Sequence, residues 1–252
     1  MTMLIHATIA TTAEGQVVAS NRRGEVMRWN TRADGIIRRL KRQRTSSEIA
    51  SSSRLVLTLK RLCVFCGSSA GFDPVHREAA RAFGTLLARE QIELVYGGGS
   101  VGLMGAIADA VLAANGHVIG VIPRFLATKE LLHEGVNDLR VTHDMHERKA
   151  LMAELADGFV ALPGGLGTFE ELFEVLTWSQ LGLHRKPIGL LNVAGYFDPL
   201  VAMIDRSIQD GFCRDEHRQL FIVETEPTRL LERLRQHEPP AVPKWIRSTE
   251  ET

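Results

Sequence analysis

No stretch of this sequence approaches the roughly 18 consecutive apolar residues that a membrane-spanning helix requires, which excludes a helical membrane protein. Cysteine is scarce. Cys63, Cys66 and Cys213 form an odd set with no secretory signal ahead of them, a pattern expected of a cytoplasmic, reducing compartment. Net charge is zero, with 30 basic against 30 acidic residues, so the chain as a whole has no bias toward polyanions. No lysine follows a glycine-rich turn as in a P-loop, and no G-x-S-x-G elbow is present. His133, His143 and His146 form no paired H-x-x-x-H with a carboxylate in helical register, so no metal site is expected.

What is present is ordinary globular material, 44% hydrophobic and 24% charged. The zero net charge hides an asymmetry: residues 1–61 hold 12 Lys and Arg against 4 Asp and Glu, leaving the remainder net acidic. Residues 1–58 carry no sustained period, and serines alternate there with the basic cluster Arg38-Arg39-Leu40-Lys41-Arg42-Gln43-Arg44. They read as a basic, disordered leader, with at most a short helix. Trp29 is the lone aromatic beside those scattered arginines, a poor platform for nucleic acid, and no nucleic-acid partner is expected.

From Leu62 the pattern becomes regular. Apolar runs at 62–66, 92–96, 117–122, 158–162, 187–192 and 220–223 read as strands, with a weaker one at 139–142. Helical patterns lie between most of them, at 77–90, 103–115, 148–156, 169–181 and 199–210. Continuous apolar strands alternating with helices predict a single α/β domain over 60–238: a Rossmann-like, doubly wound parallel sheet with helices on both faces. Residues 239–252 read as a tail. Cys63 and Cys66 have C-x-x-C spacing, but on a strand residues three apart point to opposite faces, so core packing is expected rather than redox or metal chemistry.

Three glycine-rich turns follow strands and so share the rim at the strands' carboxyl ends, where such sheets bind ligands. They are Cys66-Gly67-Ser68-Ser69, Tyr96-Gly97-Gly98-Gly99-Ser100-Val101-Gly102, and Leu162-Pro163-Gly164-Gly165-Leu166-Gly167-Thr168. Glycine lets backbone N–H groups crowd an oxyanion, and a helix N-terminus adds its dipole, so a phosphate-bearing ligand is expected. The second turn fits G-x-G-x-x-G, yet it follows the second strand and no acidic residue ends the next one, which argues against a dinucleotide. No cofactor is expected.

In the helix after the third turn, Phe169, Leu172, Phe173 and Leu176 predict a sheet-facing stripe, with Glu171 and Glu174 turned away from it. Glu174 reads as a helix-solvating carboxylate. Glu171 stands about one turn in from the phosphate end, roughly 5–6 Å along the axis, where the sugar of a 5′-phosphate would begin. Arg148, at the end of the weak strand, is a candidate anion or base contact.

These segments resemble one family closely. Pro163-Gly164-Gly165-Leu166-Gly167-Thr168-Phe169-Glu170-Glu171 matches the P-G-G-x-G-T-x-x-E motif of the Lonely guy family, cytokinin riboside 5′-monophosphate phosphoribohydrolases, and Met145-His146-Glu147-Arg148-Lys149-Ala150 matches its second motif. The resemblance covers about 62–235. It implies hydrolysis of the N-glycosidic bond of a purine riboside 5′-monophosphate, with Arg148 and Glu171 catalytic. It further implies that Glu130, Lys149, Thr177 and the segment Gly165, Leu166, Gly167, Thr168, Phe169 and Glu170 line the nucleotide site. Gly67, Ser68, Gly98, Gly99 and Gly164 join them as expected binding residues from the glycine turns, and the family implies a homodimer. The rival reading is a non-catalytic carrier of the same fold, holding a nucleotide or molybdenum-cofactor-like ligand. Glu171 as base, nucleophile or electrostatic partner stays open at this level.

Overall fold

The computed structural model of the chain describes residues 57–127 and 132–240, together with strands within 8–29. Two compact units divide it, residues 1–49 and 50–252. In the first, strands β1 (Thr8–Thr11), β2 (Val17–Ser20) and β3 (Val26–Trp29) form an antiparallel meander in the order β1-β2-β3. The sequence reading gave these residues no regular structure. Four-residue strands are too short to establish a period of two, which is why they escape a periodicity test. The basic cluster at 38–44 lies outside the described residues.

The second unit is the sheet that the apolar runs predict. Its strands are β4 (Arg61–Phe65), β5 (Glu93–Tyr96), β6 (Val118–Pro123), β7 (Asp138–Thr142), β8 (Gly158–Ala161), β9 (Ile188–Leu191) and β10 (Ile222–Glu224). They lie in the order β10-β9-β8-β4-β5-β6-β7. Every pairing is parallel, as the continuous apolar strands require. β7 was the weak run because it carries Asp138 and Arg140 at one edge of the sheet, where Arg140 and Val141 are exposed.

Among the described residues six α-helices accompany the sheet: α1 (Pro74–Arg89), α2 (Gly102–Ala113), α3 (Met145–Leu155), α4 (Leu166–Gln180), α5 (Asp198–Gln209) and α6 (Pro227–Gln236). One core joins Leu62, Val64 and Cys66 to Phe83 and Leu87 of α1, Ile107 of α2 and Leu230 of α6. The other joins Cys63 and Phe65 to Met152 of α3 and to Leu172 and Leu176 of α4. Cys63 and Cys66 therefore lie on opposite faces, both buried and unpaired. The chain runs outward from β4 through β7 and then returns to β8 on the other side of β4. The crevice beyond β4 and β8 is the switch point at which open α/β sheets take their ligands.

Candidate active site

The turns after β4 and β8 meet at that crevice. Gly67 donates its N–H to the Pro163 carbonyl at 3.0 Å, and a methyl group added to Gly67 would lie 3.2 Å from Gly164 Cα. Gly164 must itself be bare, since an added methyl would come within 2.1 Å of the buried Thr168 hydroxyl. A cavity of about 390 Å³ opens here, lined by Gly67, Ser68, Gly164 and Gly165, with His76 and Tyr196 at its side. Gly165 caps α4 without any side-chain hydrogen bond. The amides of Leu166, Gly167 and Thr168 in its first turn have no carbonyl inside the helix to bond, and they lie at the positive end of its dipole. Methyl groups on Gly165 or Gly167 would meet no atom within 4 Å. This turn is open and has the features that suit an anion: a helix N-terminus with no side-chain cap and bare glycines.

The turn after β5 is different. Gly97, Gly98 and Gly99 are all buried. Gly98 sits at φ +73 against Ile122, and a methyl group on Gly97 would lie 2.1 Å from Nη2 of Arg148. Protein atoms fill the space beside Gly97 and Gly98, and Gly98 and Gly99 are not among the residues that line the cavity.

Arg148 reaches that space because α3 starts where it does. The Asp144 carboxylate accepts the Glu147 N–H at 2.9 Å, and the Glu147 carboxylate accepts the His143 N–H at 2.8 Å. This capping begins α3 at Met145 and puts Arg148 in its first turn, aimed under β6. Nε of Arg148 donates to the Val121 carbonyl at 3.1 Å, and Nη2 stands 3.5 Å from Glu171 Oε1. At the far end of α3, Nζ of Lys186 donates to the carbonyls of Ala153 and Ala156, both at 2.6 Å.

Glu171 lies in the second turn of α4, its side chain 13% exposed. It shares a crevice of about 10 Å³ with Phe65, Lys149 and Trp178. Burial pushes its carboxyl up to about 6, because desolvation outweighs the attraction of Arg148. A carboxylate titrating there is poised for proton transfer near neutral pH. Among the described residues no group of three His, Cys, Asp or Glu side chains is placed to hold a metal ion.

Three curated relatives decide the family. A cytokinin riboside 5′-monophosphate phosphoribohydrolase of Arabidopsis thaliana is 49% identical over 180 residues, 71% of this chain and 83% of the relative. Two probable enzymes of that name from Oryza sativa subsp. japonica are 46% and 51% identical, covering 79% and 71% of this chain and 81% and 79% of the relatives. The chain belongs to this family. A family model described as possible lysine decarboxylase matches residues 104–234. Among solved structures, the molybdenum cofactor binding protein of Rippkaea orientalis superposes with a TM-score of 0.54 at 23% identity, covering 71% of this chain and 96% of that one. The molybdenum cofactor carrier protein of Chlamydomonas reinhardtii does so with 0.53 at 22%, covering 69% and 96%. At such identities the likeness shows the fold alone.

The remaining family positions fall as follows. Nζ of Lys149 is held between Glu170 at 2.5 Å and Glu174 at 3.0 Å. Burial alone would lower the lysine, but the two carboxylates outweigh it and hold it above its ordinary value. Glu174 is thus an ion-pair partner, not the solvated carboxylate that the sequence suggested. Phe173 is 45% exposed, a second correction, since the buried arc of α4 runs through Thr168, Leu172, Val175, Leu176 and Ser179. With Thr168, Val175 and Ser179 on the buried arc, Phe173 lies off it, and Glu171 is partly buried. Phe169 is partly buried against that core. Thr177 is exposed, its hydroxyl donating back to the Phe173 carbonyl at 2.7 Å. Glu130 lies outside the described residues. Tyr196 and His76, beside the cavity, are additions that sequence reading missed.

Proposed function

We propose that this chain hydrolyses the N-glycosidic bond of an adenine or N6-substituted adenine riboside 5′-monophosphate, releasing the base and ribose 5-phosphate. The observation that carries this reading is the pairing of Arg148 with a nearly buried Glu171 on the helix whose open N-terminal turn suits a phosphate. Glu171 lies five residues beyond the first residue of α4, about 7.5 Å along its axis, a span that matches a phosphate at the turn and a sugar beside the carboxylate. As the C1′–N bond breaks, its electron pair leaves with the base and positive charge gathers on the sugar. The ionised Glu171 stabilises that charge and takes a proton from the water whose oxygen joins C1′; the departing base takes a proton from solvent, and Glu171 releases its own to solvent, so one water is consumed. Arg148 holds Glu171 in place and adds positive charge for the substrate's anionic groups. The phosphate turn supplies binding energy remote from the bond that breaks.

We further infer a homodimer acting in the cytoplasm. The family's implied assembly supports the first, and the unpaired Cys63, Cys66 and Cys213 support the second. Chromatography of bases released from a panel of nucleoside 5′-monophosphates tests the activity. Adenosine should be at least about a hundredfold poorer than its monophosphate in kcat/KM, since several charge-assisted hydrogen bonds are lost. Equal values for the two would remove the phosphate assignment.

A further inference from the structure

Tyr196 reaches the phosphate turn from a separate element. It stands just after β9, and its hydroxyl donates a short hydrogen bond to the Gly164 carbonyl, 32 residues away in sequence. Its ring stacks on Phe169 of α4 at 6.3 Å and meets His76 of α1 edge-on at 5.9 Å. The backbone that delivers it is contorted. Ala194 adopts a left-handed conformation (φ 51, ψ 30), unusual for a residue with a Cβ, and Gly195 follows at φ +73. A brace holds this turn: Asn192 accepts the Phe197 N–H at 2.7 Å and donates to Asp198 at 2.7 Å. Such strain persists only where the surroundings over-determine it.

We propose that Tyr196 is a positioning residue for the phosphate turn, fixing the peptide plane between Gly164 and Gly165 through its hydroxyl; this rests on the phosphoribohydrolase reading above. The peptide joins two glycines, the pair of residues least able to resist rotation of the plane between them. In a trans peptide the carbonyl and the N–H point in opposite directions, so anchoring the Gly164 oxygen also sets the direction of the Gly165 N–H. It also keeps a carbonyl oxygen, which would repel an anion, turned toward Tyr196. The stack on Phe169 ties the same ring to the first turn of α4, so hydroxyl and ring together align the turn with the helix end behind it. The residue acts on phosphate recognition and not on bond cleavage, because Arg148 and Glu171 are positioned by α3 and the second turn of α4.

Tyr196→Phe keeps both ring contacts and removes only the hydroxyl. KM for the nucleoside 5′-monophosphate should rise about three- to tenfold, the equivalent of one hydrogen bond, with kcat unchanged. Turnover of the corresponding riboside, which has no phosphate, should not change. The ratio of the two kcat/KM values cancels any loss of folded protein, since both substrates meet the same sample. Calorimetric binding of ribose 5-phosphate reads the same effect without turnover and should weaken by the same factor. Failure of wild-type protein to release base from any nucleotide would remove the proposed activity, whereas unchanged ribose 5-phosphate binding by the variant would overturn the role of Tyr196 alone. An equal fall for nucleotide and riboside, or a fall confined to kcat, would also overturn it.

Discussion

Two glycine turns that look alike in sequence do opposite work. The Gly97-Gly98-Gly99 turn is buried, and its missing side chain at position 97 is the space that the Arg148 guanidinium fills. The 164–168 turn is open, and its missing side chains at 165 and 167 face no protein atom. Glycine makes room in both, in one for the protein's own cation and in the other for a ligand's anion. On the function proposed above, the two turns are successive requirements of one site: the first seats the charge that partners Glu171, and the second is assigned the phosphate that brings the sugar to it.

The largest effect should come from the group that the two turns jointly serve. Glu171→Gln preserves shape but removes charge that matters most in the transition state, so kcat should fall about 10²–10³-fold with little change in KM. Glu174→Gln, one turn further along α4 and paired with Lys149, should cost far less. The wild-type kcat/KM should also fall as pH drops through about 6, where Glu171 takes up a proton. An acid limb that survives in Glu171→Gln would assign it to another group.

A methyl group added to each turn separates their roles. Gly97→Ala places a carbon where Arg148 already is, so about 1–3 kcal/mol of stability should be lost to overpacking, and kcat should fall as the guanidinium is displaced. Gly167→Ala meets open space, so its melting temperature should hold while KM for the nucleotide rises. If Gly97→Ala raised only KM and Gly167→Ala only lowered kcat, the division of labour would be reversed.

A last effect concerns stability alone, away from the rim. His184 lies beneath α4, with Nε2 donating to the Val175 carbonyl at 2.9 Å and Nδ1 accepting the Lys186 N–H at 3.1 Å. Burial holds it neutral and lowers its pKa from the ordinary histidine value of 6.5 to about 4. The unfolded chain binds this proton first as pH falls, so stability is complete above about 6.5 and declines toward 4. The loss is about 2–3 kcal/mol over that window. Urea unfolding at pH 7.5 and 4.5 should show His184→Gln losing less stability than wild type across the interval. An equal loss would show that His184 is not the group responsible.

Much of this was legible in the sequence because burial on both faces makes strands apolar throughout, and six of the seven sheet strands carry that mark. β7 read weakly because Asp138 and Arg140 interrupt its apolar run at the sheet edge. Arg148 and Glu171 were legible through motifs and through distance along a helix. Their immediate surroundings were not. That Lys149 bridges Glu170 and Glu174 depends on how α3 and α4 face each other, which no local period encodes. Tyr196 was hidden for the same reason: nothing near it in the chain marks a hydroxyl whose partner belongs to another turn.

α3 is pinned at both ends, by Asp144 and Glu147 where it begins and by Lys186 where it stops. Fastened at both ends, the helix presents Arg148 beside Glu171. On the function proposed above, the cation and the carboxylate are preorganised, which leaves less solvent and side-chain rearrangement for the moment of bond cleavage.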